Sequence, residues 1–261
     1  MNFNTITFQE PEPGIGLMTL NRPDRLNALN QDMLDDLRSL FAHLRDHTET
    51  RVLILTGAGR GFCAGADLKD SRAGSIPNAA THLLYSQRRY ADRILEMRRL
   101  PQPIIAAVNG AAAGGGMCLA LASDVIIAGE NASFTPSFVN IGLSGGELGS
   151  SYFLPRAIGT PRASEILMTG RTVRAAEAER MGMVTKMVKG EELMAAAMET
   201  ARLMAAKNPI GLRFTKEALN QNIDATSLEM AIEMENRNQS LCIFTPEFHD
   251  AVAAFRERKK G

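Results

Sequence analysis

Apolar and polar positions along the chain fall into short runs that predict strands separated by amphipathic helices. Residues 5–9 and 16–20 alternate as an opening pair of strands. Asn30 stands where it can cap a helix running to about residue 47, with Asp32 in its first turn and Leu34, Leu37, Phe41 and Leu44 on one apolar face. Residues 51–57, with the apolar centre 52–55, read as a short buried strand. The stretch 71–80 is polar and contains Gly and Pro; a helix follows to about Leu100, where Pro101 and Pro103 stop it. Further strands are predicted at 104–108 and 124–128, a very short one at 133–134, and a helix at 147–158. This alternation predicts an α/β fold with a parallel sheet. From Glu191 onward the pattern is helical only, through 195–207, 210–220, 227–241 and 246–260.

Two of these strands run straight into glycine-rich turns. The strand at 104–108 leads into NGAAAGGGM, where Gly114, Gly115 and Gly116 open a helix; the strand at 52–55 leads into TGAGRGFCAGADL. Glycines let backbone N–H groups approach a ligand closely, and a helix start favours negative charge. Two such turns can each aim one N–H at the same oxygen, which stabilises a carbonyl as it becomes an enolate.

Composition then narrows the field. The chain has 261 residues, of which 45% are hydrophobic, enough for one catalytic-sized domain with a small helical appendage. A formal net charge of zero carries no footprint of nucleic acid or of an anionic membrane. The basic clusters at 88–89, 98–99 and 256–260 read either as solvated faces or as contacts to the phosphates of a nucleotide-like ligand. Cys63, Cys118 and Cys242 have no metal-ligand spacing and cannot all pair; with no signal peptide or long apolar span, the expectation is a soluble cytoplasmic protein of a reducing compartment. His43, His47, His82 and His249 are scattered, which argues against a zinc site or a Ser–His–Asp triad. Gly110 followed by Gly114, Gly115 and Gly116 does not make the dinucleotide fingerprint, which weighs against a nicotinamide-dependent oxidoreductase.

The motifs NRPDRLNAL, GFCAGADL, IIAAVNGAAAGGGMCLALASD, SFTPSFVNIGL, LPRAIGTPRASEILMTGR and AERMGMV occur in one order along nearly the whole chain. In this the chain resembles the crotonase superfamily, the enoyl-CoA hydratases and isomerases. The resemblance implies a spiral of ββα units over residues 1–197 and a helical region over 198–261 that packs between subunits as a homotrimer or a hexamer of paired trimers. It implies an acyl-CoA thioester as the partner molecule, with coenzyme A part of the substrate and no further cofactor or metal. Position by position, it puts the two oxyanion-hole N–H groups on Ala66 and Gly115. Coenzyme A contacts fall on Arg25, Leu26, Asn27, Ala64, Asp67 and Leu68, and in the tail on Phe255 and Arg258. Phe255 equally suits an ordinary packing position, and Asp67, like Asp124, suits a structural place in its turn.

The hydratase pattern breaks at two positions. Hydratases hold one water between two glutamates, and here those positions are Cys118 and Phe138. With Leu143, these two are expected to line the acyl pocket, whose wall also draws on residues 70–90. Cys118 reads as packing rather than as a nucleophile, on an apolar helix beside Met117, Leu119 and Leu121. Glu147, five residues before Tyr152, matches the position of the working acid in single-acid Δ3,Δ2-enoyl-CoA isomerases, although one extra residue separates it from Gly142. As a residue opening a predicted helix, it also suits a dipole-stabilised first-turn acid. Asn140 and Ser144 are candidates to orient it, or simply loop hydrogen-bonding residues. One carboxylate suits the transfer of a proton from C2 to C4 of a 3-enoyl-CoA. The alternatives are a hydratase, dienoyl-CoA isomerase or acyl-CoA hydrolase using Glu147, or a non-catalytic acyl-CoA-binding protein.

Overall fold

Strand β3 (Val52–Gly57) is buried at every residue, the signature of a parallel strand covered on both faces. In the computed structural model, which describes residues 1–70, 78, 81 and 86–258, it lies at the centre of a six-stranded sheet. The order is β1 (Ile6–Glu12), β2 (Ile15–Leu20), β3, β5 (Ile104–Val108), β7 (Val125–Gly129), β10 (Lys186–Val188). Only β1 runs antiparallel to its neighbour; the register from β2 onward is parallel, with Leu53 beside Ile104 and Ile105 beside Val125. A second sheet orders β4 (Gly61–Cys63), β6 (Ala111–Ala113), β8 (Ser133–Thr135) and β9 (Val173–Arg174), the first three parallel.

Each of β3–β4, β5–β6 and β7–β8 therefore contributes one strand to each sheet before a helix returns the chain. Successive units add the next strand to both sheets, and this makes the ββα spiral. The helices of the spiral are α1 (Gln31–Asp46), α2 (Arg88–Arg99), α3 (Gly115–Leu121), α4 (Ser150–Ile158), α5 (Thr160–Thr169), α6 (Ala175–Met181) and α7 (Leu193–Ala205). Asn30 caps α1 as its pattern predicts, its side-chain oxygen accepting from the Met33 N–H at 3.0 Å.

The period of two along the central strands sorts side chains to two cores. Leu53, Leu55, Ile104, Ala106 and Val108 join the main core with α1 residues such as Leu37 and Phe41. Val52, Ile54, Ile105, Ala107 and Ile127 face the other way onto Leu193, Ala196, Ala197 and Ala201 of α7. The division expected after residue 197 thus falls inside α7, a helix that covers the sheet along its length. The tail proper is α8 (Pro209–Asn222), α9 (Leu228–Ile243) and α10 (Pro246–Arg258).

Three differences from the sequence pattern have physical causes. β1 continues through Pro11 with an irregular register between Gln9 and Glu12, because an edge strand tolerates a missing N–H. The three-residue segments β4 and β6 are strands only because each finds a partner; nothing local marks them. The helix expected from residue 147 starts at Ser150, because Leu148 (φ 48°) and Gly149 (φ 83°) adopt left-handed backbone that no α-helix accommodates. Of the polar stretch 71–80 only Asn78 belongs to the described residues, and the tail helix is described to Arg258. Among the described residues no helix is long and apolar enough to cross a membrane.

Candidate active site

The first glycine-rich turn follows β4. Leu29 forms a parallel bridge to Ala66: the Leu29 N–H donates to the Gly65 carbonyl at 2.7 Å, and the Asp67 N–H donates to the Leu29 carbonyl at 2.9 Å. In that pattern the middle residue points its own N–H away from the partner. The Ala66 N–H therefore faces outward, and Ala66 is exposed. Gly65 (φ 86°) carries no side chain for a reason: a Cβ there would lie 2.7 Å from the Ala113 carbonyl oxygen.

The second turn leads from β6 into α3. The Gly114 N–H donates to the Thr135 carbonyl at 2.9 Å, and the next residue, Gly115, opens the helix, where an N–H has no intrahelical partner. The two turns abut, since a Cβ on Gly65 would lie 3.2 Å from the Gly115 nitrogen. Among the described residues neither the Ala66 nor the Gly115 N–H has a hydrogen-bond acceptor. Two unpaired donors thus sit on adjoining backbone turns, one exposed and one buried.

Glu147 adjoins the second turn through the next residue, Leu148, whose Cδ1 stands 3.5 Å from where a Gly115 Cβ would be. Glu147 precedes the left-handed pair at 148–149 and is half-buried. Its backbone is pinned: its N–H donates to Ser150 Oγ at 3.0 Å, its carbonyl accepts from the Ser150 N–H at 2.9 Å, and Cys118 Sγ lies 3.4 Å from the same carbonyl. The residue at the first hydratase-acid position therefore packs directly on the backbone of Glu147. Oε1 of the carboxylate accepts from Gln87 Nε2 and from the Leu148 N–H. Among the described residues no donor reaches Oε2, which leaves one carboxylate oxygen open to a proton.

The remaining expected residues divide into groups. Cys118 is fully buried in the main core, and burial together with the nearby Glu147 charge pushes its thiol above the usual range. Phe138 is half-buried against the second turn, its ring 3.6 Å from where a Gly114 Cβ would stand. Leu143 is exposed, tied to Phe138 by a backbone bond of 2.9 Å. Asn140 donates to the Gly170 carbonyl and Ser144 bonds within its own turn to Gly146, so loop hydrogen bonding accounts for both.

Leu26 (φ 49°) and Asn27 (φ 56°) sit in left-handed backbone that brings their turn onto the one after β4. The Leu26 carbonyl accepts from the Ala64 N–H at 3.0 Å. Asn27 is completely buried; its Nδ2 donates to the Ala58 and Gly61 carbonyls, and its Oδ1 accepts from the Arg22 N–H, so its side chain is a strut between the turns. Asp67 pairs with Arg22 at 2.9 Å, a fixed structural place in its turn. Arg25 and Leu68 are exposed on this same surface. Phe255 and Arg258 lie on α10; Phe255 is exposed, and the Arg258 side chain is outside the described atoms.

Sequence reasoning missed four contributors. Gln87, the residue before α2, grips the acid, and Leu148 supplies both an N–H to the acid and a side chain against Gly115. Arg22 and Ser150 hold the two backbone segments in shape. The -GEL-G- spacing around a residue followed by glycine was the one available signal, for Leu148; nothing near Gln87 marks it. Among the described residues no three His, Cys, Asp or Glu side chains cluster as metal ligands.

Known proteins resemble this chain over nearly its whole length. The family model described as enoyl-CoA hydratase/isomerase matches residues 10–261. A probable enoyl-CoA hydratase of Mycobacterium tuberculosis is 44% identical over 260 residues, covering 97% of this chain and 90% of that protein. The crystal structure of a probable enoyl-CoA hydratase/isomerase from Mycobacterium abscessus superposes with a TM-score of 0.90 at 41% identity, covering 98% and 97% of the two chains. A monofunctional enoyl CoA isomerase from M. smegmatis superposes with a TM-score of 0.73 at 43% identity, covering 87% of this chain and 98% of that one. With the two abutting glycine turns, the ββα spiral and a family match over nearly its full length, the chain belongs to the enoyl-CoA hydratase/isomerase family of acyl-CoA enzymes.

Proposed function

We propose that the protein shifts the double bond of a 3-enoyl-CoA to the 2-position, with Glu147 as the only proton carrier. Glu147 Oε2 takes a proton from C2, which both the thioester and the adjacent double bond acidify. The electron pair moves into the thioester, and its oxygen, now an enolate, accepts hydrogen bonds from the Ala66 and Gly115 N–H groups. The enolate collapses, the double bond forms between C2 and C3, and the same carboxyl returns the proton to C4. The observation that carries this reading is the exchange of acids. Buried Cys118 and half-buried Phe138 stand at the two hydratase positions, while Cys118 packs on the backbone carbonyl of Glu147, whose carboxylate has, among the described residues, one oxygen without a donor. The likeness to a monofunctional enoyl CoA isomerase at 43% identity supports it.

Hydration is the second reading, favoured by the hydratase names of several relatives. It requires Glu147 alone to activate water and protonate the product. The backbone around Arg25, Leu26, Asn27, Ala64, Asp67 and Leu68 takes the coenzyme A in either case, with Phe255 and Arg258 reaching it from the tail. The tail itself is the surface for homotrimer or hexamer assembly: Leu219, Leu228 and Phe244 are exposed at 69%, 71% and 84%, more apolar surface than a free helical tail leaves in water.

Glu147→Gln keeps the Oε1 acceptor and removes the base, so kcat on a 3-enoyl-CoA falls at least ~100-fold, the usual worth of a general acid–base group. Cys118→Ala leaves kcat nearly unchanged. Fast hydration of crotonyl-CoA by the wild type, or full isomerase activity in Glu147→Gln, rejects the mechanism.

A further inference from the structure

A cavity of about 770 Å³ opens between α2, the start of α4 and α8. Its volume lies within the range of small-molecule sites, about 300–1,000 Å³. Ile94, Leu95, Phe153 and Ile223 supply apolar wall, and Arg98, Arg99, Arg213 and Lys216 stand around it. The cavity is built rather than incidental, because its α8 wall is held in place by buried and charged bonds. Lys216 Nζ bonds the Asp124 carboxylate and the Gln102 carbonyl, both at 2.8 Å, and Asn220 donates to the Arg98 carbonyl at 3.1 Å. At the far end Tyr152 and Arg156 both bond Asp224, just beyond α8.

One residue belongs both to this cavity and to the catalytic turns. Leu148 lines the cavity, and its Cδ1 stands 3.5 Å from where a Gly115 Cβ would be. Its own N–H holds Glu147 Oε1 at 3.1 Å. Leu148 also sits at φ 48°, a backbone state that glycine adopts at little cost and leucine adopts only against a steric penalty. A branched apolar side chain is thus kept at a strained position, between the oxyanion turn and an apolar space.

We infer that Leu148 is a specificity-determining partition, which limits the length of acyl chain bound at the Ala66–Gly115 turns by closing the cavity between α2, α4 and α8. This rests on the thioester reading of those turns, but not on which proton transfer follows. The occupant of the opened cavity is the distal end of the acyl chain. It is the one apolar group that a thioester held at Gly115 brings to within a side chain's reach of Leu148.

The test is calorimetric binding of saturated acyl-CoAs, which needs no turnover. Butyryl-CoA and decanoyl-CoA are titrated into wild type and Leu148→Gly, a change that also relieves the left-handed backbone. Each newly buried methylene is worth roughly fourfold in affinity, so two of them are enough for the expected change. The variant's preference for decanoyl- over butyryl-CoA should rise at least tenfold over the wild type. Adding Ala91→Met, which fills the cavity from the α2 side, should return the preference to near the wild-type value. If Leu148→Gly fails to fold, Leu148→Ala gives the same comparison. A preference within twofold of wild type in the folded variant overturns the partition and leaves the thioester reading intact. Failure of wild type to bind either acyl-CoA overturns both.

Discussion

Replacing Gly115 isolates its proposed oxyanion role from the fold, because the structure separates what each added carbon meets. A Cβ at Gly115 would stand 3.0 Å from Leu29 Cδ1, 3.5 Å from Leu148 Cδ1 and 3.8 Å from Gly65 Cα. Gly115→Ala therefore asks one methyl at the end of a flexible side chain to yield a few tenths of an ångström. The backbone there is ordinary helix, so the N–H keeps its direction, and kcat should stay within a few-fold of wild type. Gly115→Val adds two carbons to a Cβ already in contact on three sides. They push the Gly65 turn away, and the Ala66 and Gly115 N–H groups no longer meet at one oxygen. Loss of one such donor costs about 3 kcal/mol in the transition state, roughly 100-fold in kcat. Overpacking of this kind costs stability by about 1–3 kcal/mol, so the variant should still fold, with a lowered Tm. Gly116→Ala is the contrasting control: its Cβ would stand 2.1 Å from the Cys63 carbonyl oxygen, a backbone clash that should prevent folding. The assay is kcat on a 3-enoyl-CoA, beside Tm and circular dichroism. A folded Gly115→Val with kcat within twofold of wild type refutes the oxyanion assignment.

Three further outcomes follow from burial and charge. Burial pushes the Cys63 thiol up to about 12, leaving about one thiolate in ten thousand at pH 8, and Cys118 is shifted the same way; both should resist a thiol reagent until denaturant is added, which a thiol count in the two states checks. Burial holds the Lys216 pKa below its ordinary value, the opposing pull of Asp124 being smaller, so the unfolded chain keeps that proton to higher pH than the folded one. Stability then rises with pH between the lowered folded value and the ordinary one; Lys216→Met should lose this slope, read by urea unfolding at several alkaline pH values. Light scattering at micromolar concentration should give the mass of a trimer or hexamer, and a single-chain mass contradicts assembly through the tail.

How much of this was legible depends on whether a feature is local. Asn30 as a cap, the apolar face of α1 and the buried run of β3 are written in neighbouring residues, and their elements appear nearly where the pattern puts them. β4, β6 and β9 are two or three residues long and stand only through pairing, so no periodicity could reveal them. The helical tail was legible as helices, but α7 was not legible as part of the spiral, because its alternating small residues look the same whether they face a sheet or another helix. The two turns were legible from their glycines and from the family motifs they carry.

The acid shows where such reading stops. Glu147 stood out as the lone carboxylate between residues 130 and 165, yet its surroundings read as the first turn of a helix. Two left-handed residues, Leu148 and Gly149, instead delay the helix to Ser150. That delay changes what the carboxylate can do. In a first turn it would face the free N–H groups of its own helix, and they would occupy it. Set ahead of the helix, it has its backbone bonded to Ser150, its carbonyl against Cys118 and its Oε1 held by Leu148 and by Gln87. Gln87 lies sixty positions upstream, beyond the reach of any local pattern. The price of a leucine in left-handed backbone, roughly 1 kcal/mol or more, therefore has a compensation at the site. It leaves one oxygen of Glu147 without a donor among the described residues, on a segment that Leu148 packs against the Gly115 turn.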